Sequence, residues 1–134
     1  MKYQFKGTVG PWRWEINEKH KNVQLCGGVP AFDLTVMDFA RYGTGGAAPR
    51  FNKDIGGGLL IMERAEQYSE EVEGRRHHAS WFKTLNHPDA NLIAAAPDLL
   101  NAAILYLEHK QFGTGDAYDV YEFIKAAVNK ALNN

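Results

Sequence analysis

Residues 74–100 contain the side chains whose types and spacing are best suited to chemistry with a ligand. This segment reads GRRHHASWFKTLNHPDANLIAAAPDLL, with two arginines, three histidines and a Trp-Phe pair at or before an alanine-rich stretch. Guanidinium groups match phosphate oxygens, aromatic faces stack on bases, and helix N-termini attract anions. The segment therefore favours binding of an anionic, ring-bearing ligand over a bond-breaking reaction.

The predicted ligand-binding residues are the cations, rings and amides around this helix start, with one arginine from a glycine-rich segment. They are Arg75, Arg76, His77, Trp81, Phe82, His87, Asn91 and Arg50. Phosphates are expected near the paired arginines and the N-terminus of the helix that opens at His87, and a base on one of the two rings. A solvated arginine pair and two core rings are the alternative interpretation.

The histidines and the single cysteine do not form a recognisable catalytic or metal-binding pattern. Adjacent His77 and His78 diverge in an extended strand, and His87 and Cys26 add no short-spaced ligand pair of a zinc site. No serine or cysteine has a recognisable base in the sequence, so we predict no catalytic residue, no metal and no cofactor. A small hydrolase or lyase with a histidine as general acid or base is an alternative.

Composition indicates a soluble, intracellular domain. The 134 residues are 45% apolar, which suffices for one core, and the net charge of −1 argues against a general nucleic-acid binder. Residues 1–53 nevertheless carry eight Lys/Arg against four Asp/Glu, which leaves room for a local anion site. The lone Cys26 fits a reducing cytosol, and no uninterrupted apolar run approaches the roughly 20 residues of a membrane span, so we expect no membrane partner.

The first 60 residues show the two-residue period of strands. Residues 12–16 and 23–25 alternate and predict a hairpin with its turn near residues 18–21. A third strand is predicted through residues 32–36, although residues 37–41 equally suit the start of a short helix. The glycines of residues 43–58 predict a long mobile loop, and residues 59–62 a short buried strand.

Helical signals begin after Asn86. Pro88 suits a first helical turn capped by Asn86 or His87, and Pro97 predicts a break into two short helices. The predicted core stripe there consists of Leu99, Ala102, Ala103, Tyr106 and Leu107. Asp116 is expected to cap a last helix. The core-facing positions of that last helix are Val120, Ile124, Ala127, Val128 and Ala131.

These elements predict an α+β fold in a single domain, residues 1–134. An antiparallel sheet of three to five strands, in about residues 1–85, is covered by two or three C-terminal helices in about residues 86–134. The apolar face of the Trp-rich first strand needs a partner to cover it. We therefore expect a homodimer or a larger oligomer.

Two motifs carry a family resemblance. The early Gly10–Trp12 (GPW) and the late Asn91–Leu100 (NLIAAAPDLL) resemble a widespread group of small bacteriophage and prophage proteins. The resemblance implies a phage accessory protein with an N-terminal antiparallel sheet and C-terminal helices. It also implies that the protein works in the cytoplasm of the infected or lysogenic bacterial host.

The predicted site chemistry is similar to that of phage anti-defence sponges, in particular the Thoeris inhibitors that sequester cyclic ADP-ribose signals. The similarity implies that an aromatic ring, Trp81 or Phe82, and the amide of Asn91 enclose adenine, while Arg75 or Arg76 binds phosphate. The predicted function is thus non-catalytic sequestration of a nucleotide-derived signalling molecule, cyclic ADP-ribose-like or a cyclic oligonucleotide, to counter host immunity. The alternative is a protein-interaction module that inhibits or adapts a host or phage enzyme.

Overall fold

The computed structural model describes residues 3–28, 34–42, 46–56, 59–71 and 82–133. The strands are β1 (Arg13–Asn17), β2 (Asn22–Gly27), β3 (Leu34–Tyr42), β4 (Gly46–Asn52), β5 (Met62–Arg64), β6 (Ser69–Glu71) and β7 (Phe82–Leu85). A 3-10 helix, Ala65–Tyr68, separates β5 from β6, and the helices are α1 (Pro88–Phe112) and α2 (Ala117–Leu132). The chain divides into two compact units: Lys6–Asp89, and Met1–Phe5 with Ala90–Asn134.

β1 to β5 form one antiparallel sheet in which every strand pairs with its neighbours in the chain. β1 and β2 make the predicted hairpin: Asn17 pairs with Asn22, so residues 18–21 form the turn, and Lys21 adopts a φ of 54° there. β6 and β7 form a separate two-stranded antiparallel sheet. With two helices following, the predicted α+β class is confirmed.

The glycine-rich segment is more regular than its composition predicts. Residues 46–52 form β4, so the loop prediction is wrong there; Phe51 pairs with Met37 and is buried, which holds the strand. Pro49 lies opposite Phe39, and β5 pairs only with residues 50–52, so the missing N–H of Pro49 costs no bond on the β5 side. Residues 37–41 belong to β3 rather than to a helix.

The predicted buried strand at residues 59–62 is also wrong, because Leu59, Leu60 and Ile61 are exposed and β5 begins only at Met62. Asn52 organises this connection: its buried Oδ1 accepts hydrogen bonds from the backbone N–H groups of Asp54 and Ile61, at 3.0 and 3.1 Å. A polar side chain at the end of β4 thereby fixes the path of the chain into β5.

In the helical unit, α1 runs without a break from Pro88 to Phe112, so the prediction of two short helices is wrong. Pro97 is exposed within α1, and the alanines at positions 94–96, strong helix formers, sustain the helix beside it. Asp98 of α1 and Lys130 of α2 form an ion pair.

The predicted core stripe of α1 is only partly right, whereas that of α2 is right. In α1, Ala102 is buried and Leu99 half-buried, but the other three predicted residues are exposed, and Ala90 and Ala95 are the additional buried positions. In α2 the buried residues are Val120, Ala127 and Ala131, with Ile124 and Val128 half-buried. The predicted cap is confirmed: a carboxylate oxygen of Asp116 accepts the N–H of Tyr118 at 2.7 Å.

α1 is long and apolar enough to cross a membrane, by length and composition alone. The sequence predicted no membrane-spanning segment because no uninterrupted apolar run is long enough. The apolar residues of α1 are interrupted by Asn91, Asp98 and Asn101. Core helices of soluble proteins have the same composition. One such helix therefore does not establish a membrane span.

Candidate functional site

An open cleft of about 420 Å³ lies in the sheet unit, where β3, β4 and β5 meet the 3-10 helix. Its volume falls within the roughly 300–1,000 Å³ of ligand pockets. The lining residues are Ala40, Arg50, Met62, Glu63, Arg64, Glu66 and Gln67. One of the sequence-predicted ligand-binding residues, Arg50, is therefore part of a cleft.

Arg50 is fixed by a carboxylate on the neighbouring strand. Asp38 of β3 lies directly opposite Arg50 of β4, and the two side chains form a bidentate pair, Nε to Oδ1 at 2.7 Å and Nη2 to Oδ2 at 2.6 Å. The hydrogen bonds to Asp38 raise the pKa of the Arg50 guanidinium above its usual value. Asp38 accepts two of the five N–H groups of the guanidinium, whose orientation is set by this pair.

The remaining charges of the cleft alternate in sign. Arg64 Nη1 lies 3.4 Å from Glu66 Oε1, and Glu63 Oε1 lies 3.5 Å from Lys53 Nζ. Guanidinium groups bind phosphate oxygens, while carboxylates accept hydrogen bonds from sugar hydroxyls. Each charged side chain of the lining thus has an opposite charge beside it within the protein.

His87 is buried and bonded to the chain itself. Its Nδ1 accepts the backbone N–H of Asp89 at 3.1 Å, which caps the start of α1 as predicted. Because Nδ1 is the acceptor, Nε2 carries the proton and donates to the Asn52 carbonyl oxygen at 2.8 Å. Phe51 and Tyr68 pack on the ring, with centroids 5.0 and 4.8 Å away. Both ring nitrogens therefore have backbone partners.

Asp89 is fully buried and holds the N-terminal segment of the chain. Oδ1 accepts the backbone N–H of Thr8 at 2.7 Å, and Oδ2 accepts its hydroxyl at 2.6 Å. Gly27 lets the segment that contains Thr8 pass close to β2, since a Cβ at position 27 would lie 2.5 Å from the Val9 carbonyl oxygen. The sequence marks Asp89 as a helix-start acid but carries no signal of a partner 81 residues away.

Tyr68 has a polar end in an apolar setting. Its hydroxyl oxygen is buried and has no hydrogen-bond partner among the residues that the structure describes. Burial, and secondarily the negative charge of Glu63, raise the pKa of Tyr68 above its usual value. The ring therefore serves packing against His87, and the neutral phenol is the favoured form.

The other predicted site residues are distributed as follows. Arg75, Arg76, His77 and Trp81 lie outside the described residues, in the sequence between β6 and β7. Phe82 begins β7, where Phe82 pairs with Glu71, and nothing is described of its side chain. Asn91 is half-buried in α1, in the helical unit, whereas Arg50 and His87 belong to the sheet unit. The combined site remains a prediction.

Sequence reasoning missed the carboxylates at the cleft. Glu63 and Glu66 line it, and Asp38, outside the lining, is brought opposite Arg50 only by the strand register. Within the described ranges, no group of three or more His, Cys, Asp or Glu side chains is placed to hold a metal ion.

Comparison with protein families identifies a match over the whole chain. A family model described as Salmonella phage P22 protein Y8K6 matches residues 1–134. A search of the curated proteins found no match, and neither did a search of the solved structures.

Proposed function

We propose that this chain, which belongs to the family of Salmonella phage P22 protein Y8K6, sequesters a nucleotide-derived anionic signalling molecule. The ligand class is a cyclic ADP-ribose-like molecule or a cyclic oligonucleotide, and its capture counters host immunity. Binding without turnover is sufficient for this role, because lowering the free ligand starves its receptor by mass action.

The observation that carries the proposal is the orientation of Arg50 in the cleft. Asp38 neutralises the charge of the guanidinium but also orients it, so its three remaining N–H groups would bind a phosphate with little further loss of side-chain entropy. Arg64 supplies a second cation on the same lining, and Glu63 and Glu66 supply acceptors for sugar hydroxyls.

The segment between β6 and β7 supplies the remaining part of the proposal. Arg75 and Arg76 provide further phosphate ligands, and Trp81 provides a stacking face for a base worth on the order of 1–3 kcal/mol.

Native mass spectrometry tests the proposal directly. The protein is purified from phage-infected cells, and bound small molecules are released by heating and identified. We expect an intact nucleotide with wild type, loss of it with Arg50→Gln plus Arg64→Gln, and retention with Lys130→Gln plus Lys125→Gln. The control pair removes the same charge from α2, outside the cleft.

Two results would contradict sequestration through this cleft. Equal nucleotide retention by the Arg50→Gln plus Arg64→Gln variant would exclude the cleft, and repeating the experiment with Arg75→Ala plus Arg76→Ala would then test the other predicted cations. Release of a chemically altered nucleotide would favour the hydrolase or lyase alternative.

A second candidate function is a protein-interaction module, which the exposed apolar surface of α1 favours. Ile93, Leu100, Ile104 and Leu107 recur at helical spacing and are all exposed; we call them the outer stripe. Capture of a host or phage enzyme from infected cells by wild type, but not by Leu100→Lys plus Leu107→Lys, would support this function. Capture unaffected by the two substitutions would exclude the outer stripe.

A further inference from the structure

The helix α1 is apolar on all sides, yet most of its surface is uncovered. Only 17% of its apolar 18-residue window is buried, and Leu100 is 62% and Leu107 55% exposed. A helix that is apolar all round is normally covered by other protein or by a bilayer. Asp98 lies near the middle of α1 and forms an ion pair with Lys130, and a spanning α1 would place these charges near the bilayer centre, where they are costly. A protein surface therefore suits α1 better than a membrane.

The outer stripe has the spacing of a coiled-coil seam. Its four members and one proline recur at alternating intervals of four and three residues: Ile93, Pro97, Leu100, Ile104 and Leu107. Side chains at this spacing line one side of a helix and interlock with those of a second helix. The buried Ala95 and Ala102 lie on the opposite side of α1. The spacing therefore favours a second helix as the occupant of the outer stripe.

We propose that the outer stripe packs antiparallel against the outer stripe of a second copy of this chain, about a two-fold axis at Leu100. The stripe is symmetric in length about this residue, since Ile93 and Leu107 are each seven residues away. The axis brings Leu100 against the partner's Leu100 and Ile93 against the partner's Leu107. Pro97 then lies close to the level of the partner's Ile104. Every layer of the seam is apolar, and the dimer is independent of the proposed ligand.

Charge favours antiparallel over parallel pairing. Glu108 directly follows Leu107 and borders the outer stripe, whereas Lys110 lies on another side of α1, 5.8 Å from the centroid of the Tyr106 ring. Parallel pairing sets the two Glu108 side chains at the same level. Antiparallel pairing separates them by about 24 Å along the helices, well beyond the Debye length of about 8 Å. Each Glu108 then lies level with the partner's Leu92, near the positive end of the partner's α1.

The expected dimer is weak and concentration-dependent. The outer stripe is about 21 Å long, and one helix pair of this length covers less than the roughly 800 Å² per partner of a standard stable interface. Apolar side chains that are about half exposed in the single chain provide the affinity. Dilution should therefore shift the protein from dimer to monomer, in which the outer stripe faces solvent.

Sedimentation velocity on the full chain under reducing conditions tests the proposal. Wild type is expected to be dimeric at about 200 µM and monomeric at about 2 µM. Leu100→Lys and Leu100→Glu are each expected to be monomeric at both concentrations, because the axis sets two like charges against each other. An equimolar mixture of the two variants should restore a dimer at the higher concentration. Leu59→Lys is the matched control, since Leu59 lies outside α1 and is also 62% exposed, and it should dimerise like wild type.

Cysteine pairs test the direction of the helices. In a Cys26→Ala background, Ile93→Cys mixed with Leu107→Cys should form a disulfide between copies on oxidation. Helices that pack 8–10 Å apart bring facing Cα atoms within disulfide reach. Each cysteine variant alone should stay unlinked, because antiparallel pairing holds the two copies of either position about 21 Å apart along the helices.

Several results would overturn the proposal. They are monomeric wild type at about 200 µM, a charge-swapped mixture that stays monomeric, loss of the dimer in Leu59→Lys, and self-linking of Ile93→Cys, which indicates parallel helices. Monomeric wild type that cosediments with phosphatidylcholine vesicles would likewise overturn it and assign the outer stripe to a lipid surface.

Discussion

Asp89 and Thr8 form a buried polar contact through two hydrogen bonds. Both carboxylate oxygens accept hydrogen bonds from Thr8, and Asp89 is fully buried. Its position in the first turn of α1 adds a favourable interaction with the positive end of the helix dipole. Both carboxylate oxygens thus have hydrogen-bond donors, and removal of the carboxylate leaves the Thr8 N–H without this acceptor.

Asp89→Ala is expected to lower the free energy of unfolding by about 3 kcal/mol, because it removes two charge-assisted hydrogen bonds and orphans a buried donor. Urea unfolding followed by circular dichroism measures the change. Asp119→Ala removes an exposed acid from the first turn of α2 and should cost less than about 1 kcal/mol. Equal losses in the two variants would show that the Thr8 contact does not stabilise the fold.

Tyr68→Phe is expected to be neutral or to raise the free energy of unfolding by up to about 1 kcal/mol at pH 7, because it deletes a buried hydroxyl with no described partner. The variant should also be less sensitive to alkali. The pKa of Tyr68 is higher in the folded state than in the unfolded state, so the unfolded state ionises first as the pH rises. Wild type should therefore lose stability above about pH 10, the ordinary pKa of tyrosine, and Tyr68→Phe should not lose this part.

Urea titrations at pH 7 and at pH 10.5 measure both effects for wild type and Tyr68→Phe. Tyr118→Phe is a suitable control, because Tyr118 is exposed. A Tyr68→Phe variant that is clearly less stable at pH 7 would mean that the hydroxyl has a hydrogen-bond partner.

Among the elements, α1 departs most from what its sequence predicts. A proline normally breaks or kinks a helix, yet the 25-residue helix α1 continues through Pro97. The apolar residues of α1 occur on all sides of the helix, so periodicity did not identify the buried side, which Ala95 and Ala102 occupy. By contrast, α2 has one clear apolar face, and its stripe and its cap were both predicted correctly.

Pro97→Ala is expected to raise the free energy of unfolding by about 1–3 kcal/mol, because proline costs about 3 kcal/mol relative to alanine inside a helix. Thermal unfolding and far-ultraviolet circular dichroism measure stability and helix content. Ala96→Gly, one residue before it, should lower stability by about 1 kcal/mol if the helix is continuous there. A neutral result for both substitutions would indicate a break at this point.

Among the strands, the hairpin of β1 and β2 could be predicted from the sequence, whereas β4 could not. Alternation predicted β1, β2 and the turn between them, because local patterning and turn residues are sufficient for a hairpin. It did not predict β4, because the surrounding glycines favour a loop and the strand conformation depends on pairing with β3. The register between β3 and β4 brings Arg50 opposite Asp38, so the cleft could not be predicted from the sequence either.

At the scale of the whole molecule, exposed apolar surface is the dominant feature. Trp14 and Ile16 on β1 and the outer stripe on α1 all face solvent. Single exposed apolar residues are ordinary, but contiguous ones mark contact surfaces. Family membership places this surface in a phage protein.

Leu100→Gln plus Leu107→Gln is expected to change the free energy of unfolding by less than about 1 kcal/mol, since surface substitutions rarely exceed 0.5 kcal/mol each. The same variant should aggregate less on storage, which dynamic light scattering measures. Ala95→Gln, at a fully buried position, should by contrast destabilise the protein strongly. A large loss of stability in the double variant would show that the outer stripe is covered in solution.

The Thr8–Asp89 contact also bears on how the chain emerges from the ribosome. It joins positions 81 residues apart, and such long-range contacts form late because the intervening chain must first be ordered. Translation proceeds from the N-terminus, so Thr8 has no carboxylate partner until residue 89 has been synthesised. A nascent chain stalled before Asp89 should therefore be open to protease at its N-terminal segment, and one stalled well beyond it should be protected.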